Sequence, residues 1–353
     1  MYFGSDNQAG VSAAIMQALV EANQGIAAAY SDDEWTHRAR AAIADWFECD
    51  ADVHFVSTGT AANCLALACS LEPWQIALCH GQAHIINDEL TAPEFFTGGA
   101  RLLGLDAQAP KLSAITLGHT LSQGSAHPPH NAEPAVLSLT QLTESGQVYS
   151  LEELRELTDI AHQYGLIVHM DGARFTNALV SLDCSPAEMT WRVGIDVLSL
   201  GATKNGAMTA EAVIFFKPSL AKKFVHLRKR SGHLLSKSRW ISAQFLAWLK
   251  DDHWRELALH ANQQARQLSA GIAEHPKCRI VWPTQGNEVF AVMPKALIQS
   301  LRDQGGIFYE WTPSFVPAEQ RVREHEAMVR LVCSFQTKPC EVVQFIDALH
   351  RVK

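Results

Sequence analysis

The chain has 353 residues, of which 47% are hydrophobic, and carries a formal charge of −8. This length and hydrophobic content predict a sizeable buried core and two domains. The negative charge argues against a nucleic-acid partner, because proteins that bind nucleic acid usually carry a basic surplus.

The N-terminal residues lack the pattern of a secretory signal, and no apolar run is long enough to span a bilayer. The eight cysteines include no CxxC pair, and several lie in apolar runs where buried free thiols are expected. We therefore expect a cytoplasmic protein with no membrane partner.

The first two-thirds of the chain alternate between short apolar strands and amphipathic helices. The clearest helix is predicted at 151–164, where Ser150 and Glu153 form a capping box and Gly165 provides the stop. Strands of this kind, separated by helices, predict a mainly parallel sheet covered on both faces. The predicted strands are 53–57, 75–79, 101–105, 135–139, 166–170, 196–200 and 212–216.

After Lys217 the pattern changes to long helices, followed from 279 by a shorter α+β segment. We therefore predict a large α/β domain at 1–240, whose N-terminal segment reaches the functional site. A smaller C-terminal α+β domain is predicted at 241–353, with the site between the two domains.

Two predicted strands end in reactive side chains. Strand 166–170 is followed by Asp171 and Arg174, and strand 196–200 is followed by Lys204. A lysine can form a Schiff base, an aspartate can pair with a protonated ring nitrogen, and an arginine can hold a carboxylate. These are the groups that pyridoxal phosphate (PLP) chemistry requires, although Arg174 is also the ordinary ion-pair partner for a buried Asp171.

Small residues on both sides of Lys204 are expected to leave room for a flat cofactor ring. They are Gly201, Ala202, Gly206 and Ala207. Residues 58–60, Thr-Gly-Thr, lie between a predicted strand and a helix and indicate a phosphate site at the helix N-terminus. The segment is neither a Walker A loop nor a GxGxxG motif, which disfavours a nucleotide cofactor.

Histidines occur in two pairs. His80 and His84 have a spacing that suits a metal, but no third or fourth ligand is evident, so we predict no metal site. His84 is better interpreted as an imidazole that stacks on the cofactor ring and is oriented by Glu89. His127 and His130 lie in a polar loop just before a strand.

Taken in order, these motifs resemble the low-specificity L-threonine aldolases of PLP fold type I, in particular the bacterial branch with Thr-Lys-Asn-Gly around the lysine. The implied fold is a large domain with a mainly parallel mixed sheet and a smaller C-terminal α+β domain. Two departures, Ser31 and the pair Leu90-Thr91, lie near the expected pocket and bear on substrate preference. The matching segments are 3–7, 30–36, 59–63, 83–96, 169–178, 201–206 and 330–335.

The resemblance implies that Lys204 is the Schiff-base lysine, that Asp171 is the pyridinium partner and that His84 is the ring-stacking histidine. His130 matches the second active-site histidine. The other implied cofactor contacts are Gly59, Thr60, Ala61, Arg174, Thr203 and Lys237, and the implied substrate contacts are Ser5, Tyr30, Arg174 and Arg330. Tyr30 and a basic group of 228–237 would come from a neighbouring subunit, which predicts a homodimer at least and favours a tetramer.

The implied activity is cleavage of L-threonine, L-allo-threonine and related L-β-hydroxy-α-amino acids, phenylserine included, to glycine and an aldehyde. Two alternatives stay open: another fold type I enzyme (a β-eliminating lyase or an aminotransferase), or a protein that keeps the fold without turnover. Retro-aldol cleavage needs a base for the β-hydroxyl proton. We favour His84, directly or through a water held with Glu89, over His130.

Overall fold

A computed structural model describes residues 1–106, 108–124, 129–312 and 315–351. Its helices are α1 (Ala13–Ala22), α2 (Glu34–Trp46), α3 (Gly59–Ser70), α4 (His84–Asn87), α5 (Ala92–Thr97), α6 (Ala114–Ser122), α7 (Leu151–Gln163), α8 (Phe175–Leu182), α9 (Pro186–Met189), α10 (Phe224–Arg230), α11 (Arg239–Leu249), α12 (His253–Ala273), α13 (Lys295–Asp303) and α14 (Pro339–Arg351). Its strands are β1 (Asp52–Val56), β2 (Ile76–His80), β3 (Arg101–Leu105), β4 (Pro134–Thr140), β5 (Ile167–Gly172), β6 (Val197–Gly201), β7 (Glu211–Phe215), β8 (Arg279–Ile280), β9 (Glu288–Pro294), β10 (Tyr309–Glu310) and β11 (Glu326–Val332).

The larger sheet has seven strands in the order β1-β7-β6-β5-β4-β2-β3. Strand β7 runs antiparallel to both of its neighbours, and the other adjacent pairs are parallel. The mainly parallel mixed sheet is therefore confirmed, and its predicted strands lie within about two residues of the observed ones. Because β2, β4, β5 and β6 are parallel, the residues that follow them meet at one edge of the sheet.

Local sequence signals explain where several helices begin. Ser150 and Glu153 form the predicted capping box of α7, with a hydrogen bond in each direction. Helices α1 and α2 are absent from the predicted elements. Both have side-chain N-caps, Ser12 and Asp33, but α2 buries only a narrow face of three residues between charged positions. That pattern is too weak to mark a helix by hydrophobic period alone.

The smaller sheet is antiparallel, in the order β10-β11-β9-β8, and it is covered by α12, α13 and α14. Its core includes Phe3 from the N-terminus, whose N–H donates to the Ile307 oxygen at 2.8 Å. The large core extends through α11 to Trp254, whereas the small core, apart from the N-terminal Phe3, is formed by residues from Ala265 onward. We therefore propose that the two domains divide within α12, later than the predicted residue 240.

Within the described ranges, no helix combines the length and the apolar content that crossing a bilayer requires.

Trp248 links the large core to the lysine segment. It is fully buried among other aromatic rings, and its Nε1–H donates to the Oδ1 of Asn205 at 2.7 Å and to the Asn205 carbonyl at 3.1 Å. Replacing Trp248 with alanine removes this packing, so we expect the free energy of unfolding to fall by about 3–5 kcal/mol in chemical denaturation. Trp74→Ala is the matched control, because Trp74 is 69% exposed. Equal losses for the two variants would contradict this account of the core.

Candidate active site

One cavity of about 360 Å³ opens at the edge of the large sheet where the parallel strands end. Its size is within the range of small-ligand sites. Eight of the predicted site residues line it: Gly59, Thr60, His84, Glu89, Asp171, Arg174, Thr203 and Lys204. The sheet thus brings residues that are more than a hundred positions apart in sequence into one site.

Lys204 lies in a short 3-10 turn, Thr203–Asn205, directly after β6. The turn is held on both sides of the lysine. The Thr203 hydroxyl accepts a hydrogen bond from the Ala210 N–H at 3.1 Å, and Asn205 is bound by Trp248. The backbone on either side of Lys204 is therefore anchored by hydrogen bonds, which fixes the position from which the lysine side chain enters the cavity.

The small residues around Lys204 do not serve the purpose predicted for them. A Cβ on Gly206 would lie 2.6 Å from Leu257 Cδ1, and a Cβ on Gly201 would lie 3.0 Å from both the Ala173 backbone and the Glu211 carboxylate. Gly206 also has a φ of +95°, a conformation that favours glycine. These glycines are thus required by packing within the chain, and the expectation that they make room for a cofactor ring is wrong.

Asp171 ends β5 and accepts hydrogen bonds from neutral donors. The Asn63 amide donates to its Oδ2 at 2.9 Å, and the Ala173 N–H donates to its Oδ1 at 3.0 Å. Among the described residues no cation lies within ion-pair distance of this carboxylate. The predicted alternative, in which Arg174 neutralises Asp171, is therefore not found.

Asn63 connects Asp171 to His84 through Glu89. The same amide nitrogen donates to Glu89 Oε1 at 2.9 Å, and His84 Nδ1–H donates to that oxygen at 2.8 Å. Asn63 is a buried polar residue within the apolar helix α3, and that position is the sequence signal that could have identified it.

The hydrogen bond that His84 donates to Glu89 raises the pKa of His84, and the charges of Asp171 and Glu144 add to the shift, although burial opposes it. At neutral pH the imidazole is therefore more often protonated than an ordinary histidine. A protonated His84 donates hydrogen bonds and cannot accept a proton, which argues against the base role favoured for it from sequence.

Arg174 is paired with a carboxylate that was not predicted. Its Nε and Nη2 donate to the two oxygens of Asp6 at 2.7 and 3.1 Å, and Nη2 lies 3.5 Å from Glu288. Within the described residues no acceptor contacts Nη1. Asp6 therefore orients the guanidinium while Nη1 stays available to a ligand in the cavity.

Arg330 also lies beside Glu288, but it does not line the cavity. Its Nε is 3.8 Å from Glu288 Oε1, and its guanidinium stacks 4.6 Å above the Trp311 ring. Ser5 caps the short helix that carries Asp6 by accepting from the Asn7 N–H. The predicted carboxylate holders Ser5 and Arg330 are thus neighbours of the Arg174 site.

The first turn of α3 presents two unused backbone donors to the cavity. Thr58 caps the helix and its hydroxyl accepts from the Ala61 N–H at 3.2 Å, so the amide of Ala61 is already engaged. The amides of Gly59 and Thr60 precede the first intrahelical bonds. A Cβ on Gly59 would meet nothing within 4 Å, so there is open space beside this turn for an anion.

Three predicted residues lie away from the cavity of their own chain. Tyr30 is 52% exposed, with Lys229 5.0 Å above its ring and Ser236 accepting from its N–H at 3.0 Å. Lys237 and His130 are exposed as well. His127 lies outside the described residues. Tyr30 and Lys237 therefore do not reach the cavity of their own chain, and the expectation that they serve a neighbouring subunit stays a prediction.

Two acidic residues of the cavity were missed from the sequence. Glu211 begins β7, and burial raises its pKa to about 7, against the opposing effects of Thr203 and Lys204. Glu144 follows β4, and burial together with the charge of Glu288 raises its pKa to about 7. A glutamate at the start of an otherwise apolar strand is a usable signal, whereas a glutamate in a turn is not. Within the described ranges no group of side chains could hold a metal ion.

Comparison with known proteins supports the interpretation of this cavity. The family model described as "Beta-eliminating lyase" matches residues 3–296. The low specificity L-threonine aldolase of a Pseudomonas species is 39% identical over 94% of this chain and 98% of its own length. The corresponding enzyme of Pseudomonas aeruginosa is 40% identical over 94% of this chain and 97% of its own length.

The fold comparison agrees. The solved structure of Leishmania major threonine aldolase superposes with a TM-score of 0.91 at 28% identity, covering 100% of this chain and 99% of that one. The resemblance noted in the sequence is confirmed, and with it PLP fold type I. The chain belongs to the beta-eliminating lyase family and, within it, to the low specificity L-threonine aldolases.

Proposed function

We propose that this protein cleaves L-threonine, L-allo-threonine and related L-β-hydroxy-α-amino acids, including phenylserine, to glycine and an aldehyde, with PLP as its cofactor. One observation carries the proposal. Lys204 and Asp171, from the ends of the neighbouring strands β6 and β5, line a single cavity together with the first turn of α3. The Pseudomonas relatives, which match nearly the whole chain, support the same activity.

The cavity residues fit this cofactor. The free amides of Gly59 and Thr60 suit its phosphate, and the carboxylate of Asp171 suits a protonated ring nitrogen because its hydrogen-bond partners among the described residues are neutral. Lys204 would hold the cofactor covalently through Nζ, with Thr203 beside it. Bound PLP would supply the electron sink that accepts the pair released from the broken Cα–Cβ bond.

Arg174 is the residue that we assign to the substrate carboxylate. Its Nη1 is the available donor, and the ion pair with Asp6 prevents the guanidinium from turning away. Arg330, beside Glu288, and Ser5, which caps the turn carrying Asp6, adjoin Arg174 outside the cavity lining, and we assign them to the carboxylate site as well. His84, fixed by Glu89, would cover one face of the cofactor ring.

We also propose a homodimer or a dimer of dimers in which Tyr30 and Lys237 enter the neighbouring subunit's cavity. Both side chains are exposed and belong to segments that hydrogen-bond to one another, so they would move into an interface together. A cytoplasmic location is proposed because all eight cysteines are free thiols, as a reducing compartment requires.

The proposed activity is tested by measuring aldehyde and glycine released from L-threonine, L-allo-threonine and phenylserine. We expect the purified enzyme to release both products in equal amounts and Lys204→Ala to release neither, because the covalent attachment point is lost. Lys217→Ala is the matched control, since Lys217 is an exposed lysine outside the cavity, and it should retain full activity.

Formation of a keto acid with no glycine would instead assign the protein to the β-eliminating lyases or the aminotransferases. Activity retained by Lys204→Ala would remove the lysine from its proposed role.

Asp171→Asn tests the ring-nitrogen contact. The amide keeps the size of the side chain and loses its charge, so we expect kcat to fall by about 10²–10³-fold, the scale for removing one group that stabilises developing charge. Asp159→Asn, at an exposed position of α7, provides the same chemical change as a control and should have no effect. An unchanged kcat in Asp171→Asn would restrict Asp171 to a structural role.

A further inference from the structure

The turn after β4 carries an acidic side chain that has no role in the assignments above. Glu144 lies in a tight turn in which the Gly146 N–H donates to the Thr143 carbonyl at 2.8 Å. The Thr143 hydroxyl accepts from the Gln147 N–H at 3.1 Å, and Gly146 has a φ of +72°. These contacts fix the backbone at Glu144, so its side chain is held at the cavity wall.

The turn is also pressed against the smaller domain. A Cβ on Gly146 would lie 3.3 Å from Phe290 Cε2 and 3.5 Å from Glu288 Cβ, so glycine permits the close approach. The Gln147 amide donates to the Pro283 carbonyl at 2.8 Å. This packing brings Glu144 beside Glu288, and no described residue forms a hydrogen bond with the Glu144 carboxylate.

The order of the strands defines what lies on either side of Glu144. Strand β4 lies between β2, which leads to His84, and β5, which leads to Asp171 and Arg174. A substrate whose carboxylate is held by Arg174 would extend its other substituents from that point along the cavity. The β-hydroxyl would then lie on the way from Arg174 toward His84, and Glu144 lines the same cavity at the end of the strand between those that lead to these two residues.

The charges around Glu144 suit it to exchanging a proton. Burial, the carboxylate of Glu288 and, to a smaller extent, Asp171 raise its pKa to about 7, whereas His84 and Lys204 act in the opposite direction. Arg174 is a further cation that interacts with it. A carboxyl group with a pKa near neutrality can both accept and release a proton during turnover. His84 is less available as a proton acceptor, because its raised pKa keeps the imidazole protonated more often than that of an ordinary histidine.

We propose that Glu144 is the catalytic residue that accepts the proton of the substrate β-hydroxyl, which rests on the aldolase activity proposed above. The β O–H bond breaks and its proton moves to a Glu144 carboxylate oxygen. The O–H electron pair forms the carbonyl of the aldehyde as the Cα–Cβ bond breaks, and the Cα–Cβ pair stays on the Cα side. After the aldehyde departs, Glu144 releases the proton to solvent, and Cα takes up a proton in the separate step that also exchanges the α-proton of glycine.

The test compares Glu144→Gln and Glu144→Asp with Glu156→Gln, which makes the same chemical change at an exposed position of α7. Each holoenzyme is assayed for threonine cleavage and, by NMR in D₂O, for exchange of the glycine α-proton. In Glu144→Gln we expect cleavage to fall by about 10²–10⁴-fold and exchange to stay within a few-fold of wild type, because glycine has no β-hydroxyl. Glu144→Asp should recover part of the cleavage, and Glu156→Gln should match wild type.

Cleavage by Glu144→Gln at close to the wild-type rate would overturn the proposal, and so would an equal loss of cleavage and exchange. If the wild-type enzyme exchanges the glycine α-proton but does not cleave threonine, allo-threonine or phenylserine, the proposed function fails instead. The two failures are therefore distinguishable.

Thermal unfolding adds a readout that does not depend on turnover. A carboxyl group whose pKa is higher in the folded than in the unfolded state costs stability as pH rises from the unfolded value toward the folded value of about 7. Glu144→Gln removes this cost, so its Tm relative to wild type should be higher at pH 8 than at pH 5. For Glu156→Gln the Tm difference from wild type should be the same at both pH values. The same result for Glu144→Gln would contradict a buried, proton-exchanging Glu144.

Discussion

The site depends on one electrostatic constraint: its cavity holds more carboxylates than the cations of the chain can neutralise. Arg174 is paired with Asp6, and Arg330 lies beside Glu288, so neither arginine reaches Asp171. Within the described part of the chain, Asp171 is satisfied only by neutral donors. A buried carboxylate in this position favours a cationic ligand, and a protonated ring nitrogen meets that need. Burial, with smaller contributions from neighbouring carboxylates, also raises the pKa of the cavity residues Glu144 and Glu211 to about 7.

The fold places these carboxylates in the same cavity as Lys204. Parallel strands bring their following residues to one edge, and the N-terminal segment returns from the smaller sheet to place Asp6 against Arg174. Helix α3 serves twice, since its first turn offers free amides while Asn63 joins the carboxylates of Asp171 and Glu89. The free amides, the buried carboxylates and Lys204 are thus positioned by elements that pack for independent reasons.

Much of this arrangement could be predicted from sequence because it depends on local signals. Strand ends identified Lys204 and Asp171, and the capping box identified α7. Contacts between distant segments could not be found in the same way. No local pattern pairs Asp6 with Arg174, and none presses the Glu144 turn against the smaller domain. The glycines near Lys204 illustrate the same limit. Their positions were recognised from sequence, but the reason for them was not, because a packing partner such as Leu257 lies far along the chain.

We infer that Asp171 keeps the ring nitrogen of bound PLP protonated, because none of the described residues offers this carboxylate a cation at ion-pair distance. The most direct measurement is the ¹⁵N NMR spectrum of the holoenzyme loaded with PLP labelled at the ring nitrogen. We predict the chemical shift of a protonated pyridine in the wild-type protein across the neutral pH range, and loss of that shift in Asp171→Asn. An unprotonated ring nitrogen in the wild-type holoenzyme would contradict the account.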